Sequence, residues 1–463
     1  MSGMVLWENT RASKVTHGKS TGPWQAMRIE IDSRRIQPGD MFVAIEGEKH
    51  DGHKFLGEAF GRGAAVAMVD NALVYDPGQY LLVDDSLLAL GRLAKEARNR
   101  SAAKVVGVTG SVGKTGTKDM LRVALSVHGK THATSGNYNN HIGLPLSLAN
   151  MWPDAEFAVF EMGMNHAGEI AHLTAMARPH VAIITTVEAV HAEFFPSVEA
   201  IADAKAEIFE GVVEGGIAVL NHHNKYFAQL EAAAKARNLR VISVGRDAGC
   251  DVKLLSAEHI IQADVAGKRV EYHLPVLGAH MVANSLLVLA AIHALGLDVQ
   301  KSADALSAFE EPAGRGSVKQ VSLVGLPVTV IDDSYNASPV SMRAAFAKTE
   351  EVWRRSGGIG RKIAVLGDML ELGEDAPSFH AGLAEGLSSF DVVFTVGSLM
   401  KHLHDALPIP QRGAHVAVAN ALLPELLKAL KSHDIVLLKG SHGSHIHTIA
   451  SSLLGTEEKK HAV

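Results

Sequence analysis

Lys104-Val105-Val106-Gly107-Val108-Thr109-Gly110-Ser111-Val112-Gly113-Lys114-Thr115 is the stretch on which the fold turns. Its first six residues are an apolar, mostly β-branched run of strand length, which passes directly into a glycine-rich turn and then into an amphipathic helical pattern. A strand, a glycine turn and a helix in that order are the setting of a phosphate loop. The glycines let backbone N–H groups face an anion, the helix N-terminus adds positive potential, and the lysine reaches the outer phosphates. Thr115 supplies the hydroxyl that would hold Mg2+. The general spacing of such loops asks for glycine at 108, where this chain has Val108. The loop therefore predicts nucleotide binding without naming a reaction.

Working outward, 157–162, 181–187 and 217–220 are further apolar runs, separated by helical stretches at 168–176 and 199–209. That alternation predicts a parallel sheet covered on both faces. Upstream, short strand-like runs at 41–45, 65–69 and 79–83 mix with turn signals such as Gln37-Pro38-Gly39-Asp40, and a helical stretch at 86–100 closes the segment. Downstream, after helical stretches at 280–295 and 302–309, a third segment starts near Glu311-Pro312-Ala313-Gly314. Its runs at 328–332, 363–367, 392–396 and 435–438 read as buried strands of a second α/β unit. The expected boundaries are 1–102, 103–311 and 312–463, and 463 residues at roughly 150 per domain agree with three. The predicted fold class is α/β in three domains: a small N-terminal α/β domain, a central phosphate-loop ATPase domain with a parallel sheet, and a C-terminal Rossmann-like α/β domain.

Composition removes several classes. The charge is −6 with a pI near 6.5, which argues against a general nucleic-acid binder. A single cysteine, Cys250, leaves no disulfide framework and counts against any cysteine-based zinc site. The start Met-Ser-Gly-Met-Val-Leu-Trp lacks the basic and apolar pattern of a signal peptide. The most apolar stretch, 281–297, is broken by Asn284, Ser285 and His293 and predicts a buried helix with no membrane span. A cytoplasmic location is expected. His442, His445 and His447 cluster without a nearby carboxylate or cysteine to complete a metal shell. There is no repeat or low-complexity tract, and only 457–463 look frayed.

Other polar residues sit where α/β sheets bind ligands. Glu161 ends one expected strand and His191 follows another, so both point to the carboxyl-end crevice. Lys205, in Ala202-Asp203-Ala204-Lys205-Ala206-Glu207, reads by itself as a solvated lysine on a helix. His280 and Asn284 are four apart and share a helix face. Asp332-Asp333-Ser334-Tyr335-Asn336-Ala337 ends a strand of the third segment, and Gly314-Arg315-Gly316 puts a mobile cation at the junction. Together they predict a nucleotide enclosed between two α/β domains.

From about Asp32 to Ser441 these motifs, in this order, resemble the Mur ligases, the ATP-dependent amide-forming enzymes of bacterial cell-wall synthesis. Thr109-Gly110-Ser111-Val112-Gly113-Lys114-Thr115 is similar to that family's own loop, which accounts for Val108. Asp32-Ser33-Arg34, Gly39-Asp40-Met41-Phe42-Val43-Ala44 and Asp51-Gly52-His53 are similar to its uridine-nucleotide domain. Gly136-Asn137-Tyr138-Asn139-Asn140 with Ile142-Gly143-Leu144-Pro145 is similar to its substrate loop. Asp333-Ser334-Tyr335-Asn336-Ala337 and Gly367-Asp368-Met369-Leu370-Glu371-Leu372-Gly373 look like the D-alanyl-D-alanine-adding branch, and the third segment has no DNPR-type motif of the diaminopimelate-adding one.

The resemblance implies a ligase that adds D-alanyl-D-alanine to UDP-N-acetylmuramoyl-tripeptide through an acyl phosphate, using ATP and Mg2+, in peptidoglycan precursor synthesis. It implies that Lys114, Glu161, His191 and Lys205 are catalytic, and that Thr109, Gly110, Ser111, Val112, Gly113, Lys114 and Thr115 hold the ATP phosphates. Thr115 and Glu161 would bind one Mg2+, His191 would help bind a second, and Lys205 matches the lysine the family carbamylates to give an anion beside magnesium. Asn284, Arg315, Asp333 and Asn336 would hold adenine, ribose and phosphates, while Ser33, Arg34, Asn139 and Asn140 would meet the UDP substrate. A monomer is expected. The chain departs from the family pattern at Met281, Ala192 and His442. A ligase with another acceptor, of folylpolyglutamate type for example, and a non-ligating nucleotide-binding regulator are the alternatives. Residues 333–337 and 367–373 count against the first, and Glu161, His191 and Lys205 together against the second. No residue of the sequence identifies the base that takes the incoming amine's proton.

Overall fold

The computed structural model describes residues 4–47, 50–71, 78–190, 192–258 and 260–455. His191 and the 457–463 stretch lie outside the described residues. Lys104–Thr109 is an inner strand of a nine-stranded sheet, with Phe157–Glu161 on one side and Val181–Ile184 on the other, all parallel. Thr131–Ala133 lies beyond Phe157–Glu161, and Ile217–Asn221, Arg240–Gly245 and Val252–Ala257 continue the parallel run on the other side. Ile261–Val265 and Lys268–Tyr272 close that edge in antiparallel pairing. Thr131–Ala133, Arg240–Gly245 and the last three strands are not among those expected from the sequence; in the last three, polar residues interrupt the apolar ones and leave no long continuous run. The strand expected over 181–187 ends at Ile184, and the helix expected over 199–209 is α-helical only over Val198–Ala206.

Side chains on each inner strand part to two cores, as period-two burial on both faces requires. Val105, Ala158, Phe160 and Ala182 join one cluster, and Val106, Val108, Val159 and Ile183 the other. The first cluster takes in Trp7 and continues into the N-terminal sheet through Ile29 and Met41. That sheet runs Lys19–Ser20, Tyr80–Leu82, Val66–Val69, Asp40–Val43, Arg28–Glu30. Trp7 Nε1 donates to the Ala149 carbonyl at 2.9 Å, and the Asn150 side chain bonds both the amide and the carbonyl of Ile29. The second cluster takes in the helix Ala279–Ala294, which occupies most of the apolar stretch 281–297. Among the described residues no helix is long and apolar enough to cross a membrane.

A third sheet runs Ser317–Leu323, Leu326–Asp333, Ile435–Lys439, Lys362–Gly367, Val392–Val396, Arg412–Val416, antiparallel in its first pair and parallel thereafter. It too has a core on each face. Ser317–Leu323 escaped the sequence analysis because most of it is exposed. The helix Pro339–Arg355 starts sharply: Ser338 and Ser341 exchange side-chain and backbone hydrogen bonds, and proline occupies the first turn. That start holds the 333–337 segment at the carboxyl end of its sheet.

Candidate active site

The carboxyl ends of Lys104–Thr109, Phe157–Glu161 and Val181–Ile184 converge on the phosphate loop. Gly110 has φ +147°, and a Cβ there would lie 1.9 Å from Thr185 Oγ1. That hydroxyl donates to the Val112 carbonyl at 2.6 Å, and Ser111 N donates to the Thr186 carbonyl at 2.8 Å, so the neighbouring strand end clamps the loop. Gly113, at φ +86°, begins the helix Lys114–Ser126, and a Cβ on it would come within 2.9 Å of the Asn284 side chain. Asn284, 7% exposed in an apolar helix, therefore sits on the loop.

Lys114 Nζ donates to the Gly110 carbonyl at 2.6 Å. Burial lowers its pKa, the Glu161 carboxylate opposes that, and Arg315 lowers it further. Glu161 is 1% exposed and accepts from Thr115 Oγ1 at 2.8 Å and from Asn139 Nδ2 at 2.7 Å. No cationic side chain among the described residues forms an ion pair with it. A buried carboxylate and a hydroxyl, both hard oxygen donors, fit a small divalent cation such as Mg2+.

Lys205 corrects the reading of it as a solvated cation. It is 2% exposed, because the helix Val198–Ala206 also buries Ile201, Ala202 and Ala204 and presents little of itself to water. Burial first, and Lys114 second, hold its pKa well below the usual lysine value. Both effects favour the uncharged amine, which is the nucleophilic form.

The facing wall belongs to the third sheet. Asp333 Oδ2 accepts from Lys439 Nζ at 2.6 Å, and the same ammonium donates to the Asn336 carbonyl at 3.0 Å. Burial raises the Asp333 pKa while Lys439 opposes it. The Arg315 guanidinium lies 4.0 Å from the Tyr335 ring centroid, a cation–π stack. Asn336 Oδ1 accepts from the Ala337 amide at 2.8 Å. A cavity of about 1210 Å3 separates the walls, lined by Thr115, Asn137, Arg315, Tyr335, Asn336 and His442 among others.

Of the residues expected to meet the UDP substrate, Ser33 donates to Glu58 at 2.7 Å and Arg34 pairs with Asp32 at 2.7 Å. Asn140 accepts from the Gly143 amide at 2.9 Å at the start of the helix Gly143–Ala149. Asn139 is committed to Glu161. Thr185, Tyr335 and Lys439 were missed as site residues. The signal for two of them was positional: Thr185 follows one parallel strand and Lys439 ends another.

Three family models match successive stretches: the Mur ligase family catalytic domain over 27–98, the Mur ligase middle domain over 108–292, and the Mur ligase glutamate ligase domain over 314–442. The chain belongs to the Mur ligase family. Over 454 residues it is 32% identical to the UDP-N-acetylmuramoyl-tripeptide–D-alanyl-D-alanine ligase of Rickettsia prowazekii (strain Madrid E), covering 96% of this chain and 99% of that one. A crystal structure of MurF from Acinetobacter baumannii matches with a TM-score of 0.82 at 29% identity, covering 97% of this chain and 99% of the other. MurF ligase from Thermotoga maritima in complex with ADP matches with a TM-score of 0.75 at 30% identity, covering 94% and 98%. At one of this Mur ligase's departures from the family pattern, His442 stacks on His447 with centroids 4.4 Å apart and faces Tyr335 across 6.1 Å.

Proposed function

We propose that this Mur ligase joins D-alanyl-D-alanine to the terminal carboxylate of UDP-N-acetylmuramoyl-tripeptide, with ATP cleaved to ADP and phosphate, as a cytoplasmic monomer. The observation that carries the proposal is full-length similarity to a ligase of that name, on a chain whose phosphate loop, Thr115 and Glu161 form one connected group. Residues 1–102 would take the uridine nucleotide through Ser33 and Arg34, 103–311 the ATP, and 312–463 the dipeptide while closing over ATP.

In the first step a carboxylate oxygen of the tripeptide attacks the γ-phosphorus, the bond to the bridging oxygen breaks, and ADP leaves. In the second, the dipeptide amine attacks the acyl carbon, the bond to the phosphate oxygen breaks, and the nitrogen gives up a proton. Neither substrate anion approaches the other without positive charge between them, so the protein's work is mainly electrostatic and positional. Lys114 and the amides of 110–115 hold the phosphates, and Asn139 fixes the Glu161 carboxylate. Thr115, Glu161 and Lys205 would hold Mg2+, with His191 at a second ion; when bound, Mg2+ neutralises charge on the phosphoryl oxygens. The uncharged form of the Lys205 amine, which burial favours, can add to the carbon of CO2 and release one proton, leaving an N-carboxylate that suits magnesium where an ammonium would not. Asn284, Arg315, Asp333 and Asn336 complete the hold on adenine, ribose and phosphates.

Mass analysis after incubation with ATP, UDP-N-acetylmuramoyl-tripeptide and D-alanyl-D-alanine tests this. The expected product is the nucleotide heavier by the dipeptide less one water. Unchanged nucleotide, with the protein folded and ATP consumed, would overturn the assignment.

A further inference from the structure

Ile217–Asn221 and Arg240–Gly245 are parallel neighbours in the central sheet and end on the same side as the phosphate loop. The turns beyond them carry His222, Asp247 and Cys250. One imidazole nitrogen of His222, one carboxylate oxygen of Asp247 and Cys250 Sγ lie within 4.8 Å of one another. His222 Nδ1 is 2.9 Å from Asp247 Oδ2, and the Cys250 amide donates to the Asp247 carbonyl at 3.1 Å, closing the turn between the last two. Gly245 leaves room for the convergence: a Cβ there would lie 2.9 Å from Cys250 Sγ and 3.3 Å from His222 Cβ. His223 stands beside the group with its Nε2 occupied, accepting the Arg246 amide at 2.9 Å, and so fixes the second turn.

We propose that His222, Asp247 and Cys250 form a binding site for a borderline-soft divalent cation of the zinc class, separate from the ligase centre. Tetrahedral zinc, with bonds of about 2.0–2.3 Å, sets its ligands roughly 3.3–3.8 Å apart, so His222 and Asp247, now 2.9 Å apart, would open slightly while the sulfur draws in by at most about 1–1.5 Å. Thiolate, imidazole and carboxylate together favour zinc over magnesium, which takes oxygen donors. Two anionic ligands balance the dication. Cys250 is 4% exposed, whereas Asp247 is open to solvent, which leaves water the fourth position. The count of one cysteine argued against such a site in the sequence; the fold supplies the other ligands from two separate turns. Bound metal would tie together the ends of two adjacent strands.

The single cysteine also makes the test specific, since a sulfur-to-cobalt charge-transfer band can arise nowhere else in this chain. Co2+ is titrated into the full-length, reduced, metal-stripped protein in buffer containing Mg2+. The expected result is a near-ultraviolet thiolate band with tetrahedral d–d absorption, saturating at one equivalent and bleached by one equivalent of Zn2+. Cys250→Ser should abolish the band, and His222→Ala should weaken cobalt binding by on the order of 10- to 100-fold, with circular dichroism unchanged in both. Absence of the band in the wild-type chain at one equivalent, or a band of undiminished affinity in folded His222→Ala, would overturn the proposal.

Discussion

On the central wall of the cleft, Glu161 is 1% exposed and takes hydrogen bonds from Thr115 and Asn139 at 2.8 and 2.7 Å, with no cation paired to it among the described residues. On the facing wall, Asp333 is held by Lys439 at 2.6 Å and Arg315 is stacked on Tyr335 at 4.0 Å. On the first wall the buried Glu161 carboxyl is held by two neutral donors, and Lys114 interacts with it electrostatically. On the second wall Asp333 is ion-paired with Lys439 and Arg315 is stacked on Tyr335, so both would have to change partners to reach a nucleotide. On the proposed reading, in which the first wall is a pre-assembled phosphate site and the second contributes on closure, substitutions on the two walls should differ in size and kind.

The largest effect belongs to the central wall. Lys114→Ala should lower kcat on the order of 10³-fold, read by phosphate release; a loss below tenfold would remove Lys114 from the transferring phosphoryl group. Lys205→Ala should cost on the order of 10- to 100-fold and regain part of the activity with added short carboxylic acids, and absence of rescue would count against an N-carboxylate at that position. Arg315→Ala, on the facing wall, should raise KM for ATP about tenfold, equal to about 1.4 kcal/mol, with a smaller change in kcat. If it instead matched Lys114→Ala in kcat, the two walls would not differ as described.

The smallest effect lies in stability, away from the phosphates. His132 bonds the Ser147 carbonyl at 2.9 Å and has its pKa pushed down to about 4 by burial, partly opposed by that bond. The unfolded chain therefore binds more protons than the folded one between pH 4 and the ordinary histidine value near 6.5. Stability falls as pH drops through that window, by about 1.4 kcal/mol per pH unit for one such group. Urea midpoints for His132→Gln should show a shallower acid limb than the wild type. The limb would not vanish, because burial also pushes the pKa of His180 down to about 4.

What the sequence made legible follows the same division. Lys114 and Thr115 were readable because a phosphate loop is local: the strand, the glycines and the helix start are contiguous. Glu161 was readable because it closes a buried apolar run, and strand ends point to the crevice. Lys205 was not readable from its own neighbourhood, since the burial of one helical lysine is decided by what packs around Val198–Ala206. Asn139, expected to meet the UDP substrate, sits against Glu161, 22 positions away in sequence, and Lys439 reaches Asp333 across 106. The strands Ser317–Leu323 and Lys268–Tyr272 were invisible because exposed residues interrupt their apolar pattern.

The most direct test of the central claim is phosphate release by the full-length chain with each substrate left out in turn. The account predicts release that requires ATP, UDP-N-acetylmuramoyl-tripeptide and D-alanyl-D-alanine together, with one phosphate per ligated product. Steady release that is indifferent to D-alanyl-D-alanine would contradict it.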